Sequence, residues 1–219
     1  MACALTWSGA LLHIIGLRYG STAAERRCVL ASDKLVPNPS LVTNHAITID
    51  VAADQVWPWL TQMGWHRAGW YTPRWVDRLL FPGNWPSAQF LDPGLVRDLR
   101  PGDTMADGPP GTAGFVVQEA QPPYLLVLHS TTHLPPHWRE RYGARLSWSW
   151  TFRLQPVDEG RTRLLVRTRG RVHPGWLDIA YRAFVTPADG VMATAMLRGL
   201  KGRVENTQLG RKGRRTLPA

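Results

Sequence analysis

Cysteine is scarce in this chain. Only Cys3 and Cys28 occur among its 219 residues, and neither belongs to a CxxC pair or a Cys/His cluster. Two thiols cannot build the disulfide framework of a small secreted domain, and they are too few for a zinc-finger-type site. The scarcity therefore excludes those two classes, and it fits a protein of the reducing cytoplasm.

Long apolar runs are missing as well. The run ACALTWSGALLHIIGL covers only residues 2–17 and includes His13, whereas a membrane-spanning helix needs about 20 apolar residues. The first cation is Arg18, so the run lacks the basic start of an export signal. We expect a packed helix or a loose extension here, no stable membrane insertion, and a cytoplasmic protein.

Several functional motifs are also absent. The chain has no GxSxG sequence, no phosphate-binding glycine loop and no paired-carboxylate motif, which argues against the enzyme classes that depend on them. Nothing in it resembles a helix-turn-helix, an RNA-binding sheet motif or a zinc finger. We therefore predict no cofactor and no specific nucleic-acid partner.

Acidic residues are few, and the formal net charge is +10. Much of this charge lies near the C-terminus, where residues 198–219 carry seven Lys or Arg residues against Glu205 alone. Such a segment can bind nucleic acid or anionic lipid through non-specific electrostatics. We expect residues 209–219 to be a disordered basic tail, with that surface binding as one alternative function.

Tryptophan, by contrast, is abundant. The chain has 11 Trp residues, and so many indoles indicate a broad aromatic interior or a pocket. The stretch GWHRAGWYTPRW (64–75) alternates aromatic and cationic residues. It could be a base-stacking platform, the wall of an apolar pocket, or a helix with a buried aromatic side.

The hydrophobic periodicity predicts an α+β domain. A strand at 45–51 precedes two short helices at 53–64 and 72–81, and then five antiparallel strands follow. In ARLSWSWTFRLQPV (144–157) the aromatic residues share one face, and Arg and Ser residues share the other. This alternation is typical of a sheet that is apolar inside and basic outside.

A long amphipathic helix ends the domain. Met192, Met196, Leu200 and Val204 recur every fourth residue. Thr186 followed by Pro187 predicts the start of this helix, after a separate helix at 173–184. One helix cannot fill the concave face of a long curved sheet, so we expect a cavity between them.

The order of these blocks resembles the SRPBCC superfamily, in the START-like branch of polyketide cyclase/dehydrase and lipid-transport proteins. The resemblance rests on ITIDVAADQVWPWLTQMG, AGWYTPRWVDRL, LRPGDTMADGPPGTAGFVVQEAQPPYLLVLHS, WSWTFRLQPVDEGRTRLLVRTRGR and VMATAMLRGLKGRVE. It implies a helix-grip fold, in which a curved antiparallel sheet wraps around the C-terminal helix. We expect an N-terminal arm at 1–40, the helix-grip domain at 41–208 and the tail at 209–219.

The resemblance implies a deep hydrophobic cavity, but this branch has no shared catalytic signature to transfer. We predict a ligand-binding wall made of Trp70, Tyr71, Trp75, Phe115, Trp148, Trp150, Met192 and Met196. Within that set, Trp75 is the residue most typical of plain core.

Two polar residues are candidate proton-transfer groups, Asp107 in PGDTMADGPPG and His129 at the end of YLLVLHS. A carboxyl or imidazole group beside an apolar cavity could act as a general acid or base. His129, His133 and His137 have helical spacing, but Pro135 and Pro136 argue against a regular helix and no further ligand completes a metal site. We therefore predict no metal.

Three functions remain open. The first is binding of a lipid-like or polyketide-like small molecule in the cavity. The second is an enzyme of the cyclase/dehydrase kind, which would use the same cavity for aldol closure or dehydration. The third is surface binding through the basic tail, and the oligomeric state stays undetermined.

Overall fold

We describe residues 16–215 of a computed structural model, with the side chains of residues 16–209. The expectations for residues 1–15 lie outside the described residues. No helix among the described residues has the length and apolarity needed to cross a membrane.

The described elements alternate between short helices and strands before one long helix. In chain order they are α1 (Ala23–Arg27), a 3-10 helix (Ala31–Leu35), β1 (Leu41–Ile49), α2 (Ala53–Thr61), α3 (Arg74–Leu80), β2 (Thr104–Ala106), β3 (Gly114–Gln121), β4 (Leu125–Ser130), α4 (Pro136–Tyr142), β5 (Arg145–Asp158), β6 (Arg161–His173) and α5 (Gly175–Arg215).

The six strands form one antiparallel sheet in the order β1-β6-β5-β4-β3-β2. The long helix α5 contacts the sheet mainly at β1 and β6. An α+β chain with an open antiparallel sheet and a long C-terminal helix fits a helix-grip fold, as the sequence predicts.

The inner face of the sheet holds the core. Trp148, Trp150 and Phe152 alternate along β5 and are buried on this face, and the ring centroid of Trp148 lies 6.0 Å from that of Tyr181 on α5. Alternation along the strand turns Ser149 to the other, outer face.

The outer face is basic, as the alternation predicts, but its central arginines are not open to solvent. Arg163 pairs with Glu25 at 2.7 Å, and Arg167 pairs with Asp33 at 2.9 Å. The side chain of Arg167 is only 3% exposed. The described part of the N-terminal arm, residues 16–40, therefore covers this face, because its carboxylates and carbonyls accept hydrogen bonds from the outward-facing arginines.

Helix α5 is continuous from Gly175 to Arg215, so the predicted start at Thr186 is wrong. Pro187 lies inside the helix, where it removes one backbone donor. Leu177 and Thr186 before the proline and Ala193 after it are all buried, so packing on either side of the proline outweighs its local preference. The helix also includes residues 209–215, where the sequence predicts a disordered tail.

The long β4–β5 connection contains the short helix α4, so the expectation that Pro135 and Pro136 prevent a regular helix there is wrong. Pro136 is its first residue, a position that tolerates proline because no intrahelical donor is needed there. Gly143 ends it with a φ of 60°, in the left-handed region. Two prolines thus mark the start of α4 and do not prevent it.

The GWHRAGWYTPRW stretch links α2 to α3 and is hydrogen-bonded to α5. Arg203 donates hydrogen bonds to the carbonyls of Tyr71 at 3.0 Å and Ala88 at 2.8 Å. A Cβ atom at Gly199 would lie 1.8 Å from the Tyr71 carbonyl oxygen. Only glycine permits this close approach of the loop to the helix.

Candidate functional site

A cavity of about 870 Å³ lies between the inner face of the sheet and the first half of α5. Its wall is mostly aromatic and apolar. The large members are Trp65, Phe81, Phe115, Trp138, Trp148, Trp150, Tyr181, Phe184 and Met192.

Four of the predicted ligand-binding residues line this cavity, namely Phe115, Trp148, Trp150 and Met192. The Phe115 and Trp150 rings pack with centroids 5.4 Å apart. Trp148 lies across Gly170 of β6, where an added Cβ would come within 2.6 Å of the indole. Glycine at this position thus makes room for one wall of the cavity.

Trp70 and Met196 do not reach the cavity. Trp70 is fully buried behind it, with its ring centroid 5.2 Å from that of Trp150. Met196 is buried in the core on α5. The two residues support the wall, and helical spacing alone could not separate Met196 from Met192.

Tyr71 and Trp75 border a different groove, formed by α5 and the Tyr71–Trp75 segment. The Tyr71 hydroxyl donates to the Trp59 carbonyl at 2.6 Å and accepts from the Gln62 amide at 2.9 Å, so it is part of the core. Trp75 is 60% exposed, so the expectation of plain core is wrong for it. Val76 and Asp77 occupy the buried face of α3 instead.

Asp107 lines the cavity and forms part of a polar chain. Its Oδ2 atom lies 2.9 Å from Nε2 of His133, and Nδ1 of His133 lies 2.7 Å from the Ser130 hydroxyl. His133 also packs on Phe115, with ring centroids 4.6 Å apart. These hydrogen bonds hold the Asp107 carboxylate on the wall of an apolar cavity.

Strand pairing explains why residues 26 positions apart meet. Ala106 pairs with Gly114 across β2 and β3, and the Thr132 hydroxyl bonds both backbone polar groups of Gly114. Asp107 directly follows Ala106, and His133 directly follows Thr132, so the two side chains meet. Only the strand register places His133 beside Asp107. From the sequence alone, His133 is therefore no more than a candidate metal ligand.

His129 does not enter the cavity, so it is not a candidate for chemistry there. It pairs with Ser149 of β5, and its Nε2 atom lies 3.0 Å from the Ser147 hydroxyl on the outer face. Burial lowers the pKa of His129. In the strand YLLVLHS, Val127 is buried on the outer face and Leu126 and Leu128 on the inner face, so its sequence does not show which way His129 points.

A second carboxyl group, that of Asp189 on α5, lines the cavity from the helix side. Its Oδ2 atom is buried without a hydrogen-bond partner among the described residues, and it lies 4.0 Å from Nδ1 of His45. Burial raises the pKa of Asp189, partly offset by His45. Because Thr186 and Pro187 have the pattern of a helix start, the sequence does not indicate that Asp189 faces the cavity.

The three histidines of the β4–α4 region do not converge. His129 lies on the outer face, His133 contacts Asp107, and His137 belongs to α4. Across the part of the chain that the structure describes, no group of three His, Cys, Asp or Glu residues has the geometry for a metal ion.

No family model and no curated protein matches the sequence. Solved structures of similar shape include a conserved protein from Geobacillus kaustophilus, 14% identical with a TM-score of 0.45, where the match covers 76% of this chain and 97% of that one. A hypothetical protein from Helicobacter pylori is 13% identical with a TM-score of 0.48, over 80% and 95% of the two chains.

A third similar structure is norcoclaurine synthase from Thalictrum flavum, solved in complex with dopamine and hydroxybenzaldehyde. It is 13% identical, with a TM-score of 0.43 over 76% of this chain and 87% of that one. Identities this low leave the site to be established from the residues of this chain.

Proposed function

We propose that this protein binds a hydrophobic small molecule, lipid-like or polyketide-like, in the cavity between the sheet and α5. The observation that carries the proposal is the cavity itself, about 870 Å³ with a mainly aromatic wall. Its volume falls in the range of small-molecule sites, about 300–1,000 Å³.

Apolar burial would supply the affinity. A ligand that loses roughly 300 Å² of apolar surface to the cavity gains about 7 kcal/mol before the cost of association is subtracted. The Trp148, Trp150 and Phe115 rings offer flat contact surfaces, so a planar or partly planar ligand would fit best.

A pair of substitutions on α5 tests this binding. Ala188 lines the cavity, whereas Ala183 is exposed on the same helix and is not among the lining residues. We expect a hydrophobic compound from a lipid or polyketide extract to co-purify with the unmodified protein and with Ala183→Phe, but not with Ala188→Phe. Mass spectrometry of the purified proteins detects it. Failure of any compound to co-purify with the unmodified protein would count against the proposal.

One observation favours a second candidate, an enzyme that moves a proton on the bound molecule. The Asp107 carboxylate is held by His133 through Oδ2, and its Oδ1 atom is buried without a hydrogen-bond partner among the described residues. Oδ1 could accept a proton from carbon next to a carbonyl, which is the first step of an aldol closure. His133 would then act as a positioning residue.

Hydrogen–deuterium exchange at the acidic carbon of β-tetralone, followed by NMR, tests this candidate. We expect the protein to accelerate the exchange and Asp107→Asn to slow it by about 100-fold, the low end of general-base effects. His129→Gln should leave the rate unchanged, because His129 lies on the outer face. Equal rates for the unmodified protein and Asp107→Asn would eliminate the enzymatic role.

A further inference from the structure

The charge of the cavity is opposite to that of the chain. The whole sequence carries a formal net charge of +10, yet the described residues that line the cavity include Asp107 and Asp189 and no Lys or Arg. The imidazole of His133 also lines the cavity, but it is already paired with Asp107. A ligand with a carboxylate or phosphate would therefore meet two carboxyl groups and no Lys or Arg side chain.

Both carboxyl groups have an unused acceptor. Oδ1 of Asp107 and Oδ2 of Asp189 are buried, and neither has a hydrogen-bond partner among the described residues. A buried carboxylate oxygen that makes no hydrogen bond is costly, because it has lost its contact with water. For Asp189, the nearby His45 offsets this cost only in part. A donor on the ligand would remove this cost at both positions.

Tyr181 belongs to the same cavity lining as the two carboxyl groups. It lines the cavity on α5, and its ring packs edge-on against Trp148. Burial raises the pKa of the Tyr181 phenol, and the charges of Asp189 and Asp107 both add to that rise. A cationic group in this cavity would be attracted by its carboxylates and by the faces of its aromatic rings.

We infer that the ligand is a hydrophobic amine, whose apolar body packs on the aromatic wall and whose ammonium group donates to the free oxygens of Asp107 and Asp189. This inference rests on the proposed binding function and adds the charge class of the ligand. The same geometry disfavours fatty acids and other anionic amphiphiles.

Three probes of nearly equal size and shape test the charge class, namely naphthylethylamine, naphthylethanol and naphthylacetate. Isothermal titration at neutral pH measures their affinities for the full-length protein. We expect the amine to bind about tenfold more tightly than the alcohol, the effect of one charge-assisted hydrogen bond. The acetate should bind most weakly.

Three carboxylate variants localise the effect. Asp107→Asn and Asp189→Asn should each weaken the amine while keeping alcohol binding, which also shows that the cavity is intact. Asp98→Asn removes the same charge at an exposed carboxylate that pairs with Arg100 and should change neither.

The outcomes separate the two proposals. If the alcohol binds but the amine binds no better, or the acetate binds as tightly as the amine, the charge class is wrong and the binding function stands. If none of the three probes binds the unmodified protein, the binding function fails and the charge class fails with it.

Discussion

Gly170 shows how one residue shapes the cavity wall. Because an added Cβ would lie 2.6 Å from Cε3 of Trp148, Gly170→Ala should displace the indole. We expect it to lower the free energy of unfolding by about 1–3 kcal/mol, the usual cost of overpacking a core. Urea denaturation measures the change.

Gly160 provides the matched control. It lies in the β5–β6 turn, and an added Cβ there would meet nothing within 4 Å. Gly160→Ala should leave the unfolding free energy within about 0.5 kcal/mol of the unmodified protein. A Gly170→Ala protein as stable as Gly160→Ala would show that Trp148 does not depend on this space.

At the level of single residues, the sequence predicted the cavity only where alternation is clear. Trp148 and Trp150 alternate with polar residues on β5, so their inward direction follows from the pattern, and both line the cavity. His129 could not be placed this way, since Val127 is buried on the outer face of the same strand. Residues Asp107 and His133 meet through the register of three strands, which no local pattern encodes.

At the level of elements, the N-terminal arm is held to the sheet by buried ion pairs. Besides Asp33, the Arg167 guanidinium donates to Asn44 at 2.8 Å and to the Cys28 carbonyl at 2.7 Å. Arg167→Met would leave these acceptors without their donor. We expect a loss of about 3–5 kcal/mol in unfolding free energy, as for other broken buried pairs.

An exposed ion pair gives the comparison for this variant. Arg161 pairs with Asp158 at 2.7 Å, but both side chains are about half exposed, at 52% and 46%. Arg161→Met should therefore lower the unfolding free energy much less than Arg167→Met does. Similar losses for Arg161→Met and Arg167→Met in urea denaturation would contradict the docked arm.

The same arm predicts an acid-sensitive contribution to stability. The hydrogen bonds from Arg163 lower the pKa of Glu25 to about 2, against an ordinary value of 4.5. A depressed pKa stabilises the fold above the ordinary value, and the contribution is lost as the pH falls from 4.5 toward 2. Between pH 6 and pH 3, Glu25→Gln should therefore lose less unfolding free energy than the unmodified protein. Equal losses would mean that Glu25 is not paired in solution.

Elements were predictable from periodicity to different degrees. The predicted strands at 45–51 and 144–157 overlap β1 and β5, because apolar and polar residues alternate along them. The Thr186–Pro187 pair, in contrast, has the local pattern of a helix start, and only packing against the sheet keeps α5 continuous. The ion pairs of the arm join residues more than 130 positions apart, so no pattern within one element reveals them.

At the scale of the whole molecule, the structure separates two roles for its charged residues. Outward-facing arginines of β6 hold the arm, while the cavity contains carboxyl groups and apolar rings. Composition alone suggests a basic surface and an aromatic interior, and it cannot show that the acidic residues Asp107 and Asp189 face the interior space. Which charged residues face the arm and which face the cavity depends on the register of the sheet strands and on which side of α5 faces the sheet.

The central claim is that this cavity binds an apolar molecule. The most direct test is to titrate a neutral probe into the unmodified protein and into a variant whose cavity is filled by a larger side chain. Naphthylethanol should bind the unmodified protein and Ala183→Phe with equal affinity, and Ala188→Phe should abolish the binding heat while keeping the fold. Equal binding by all three proteins would place the probe outside the cavity and contradict the claim.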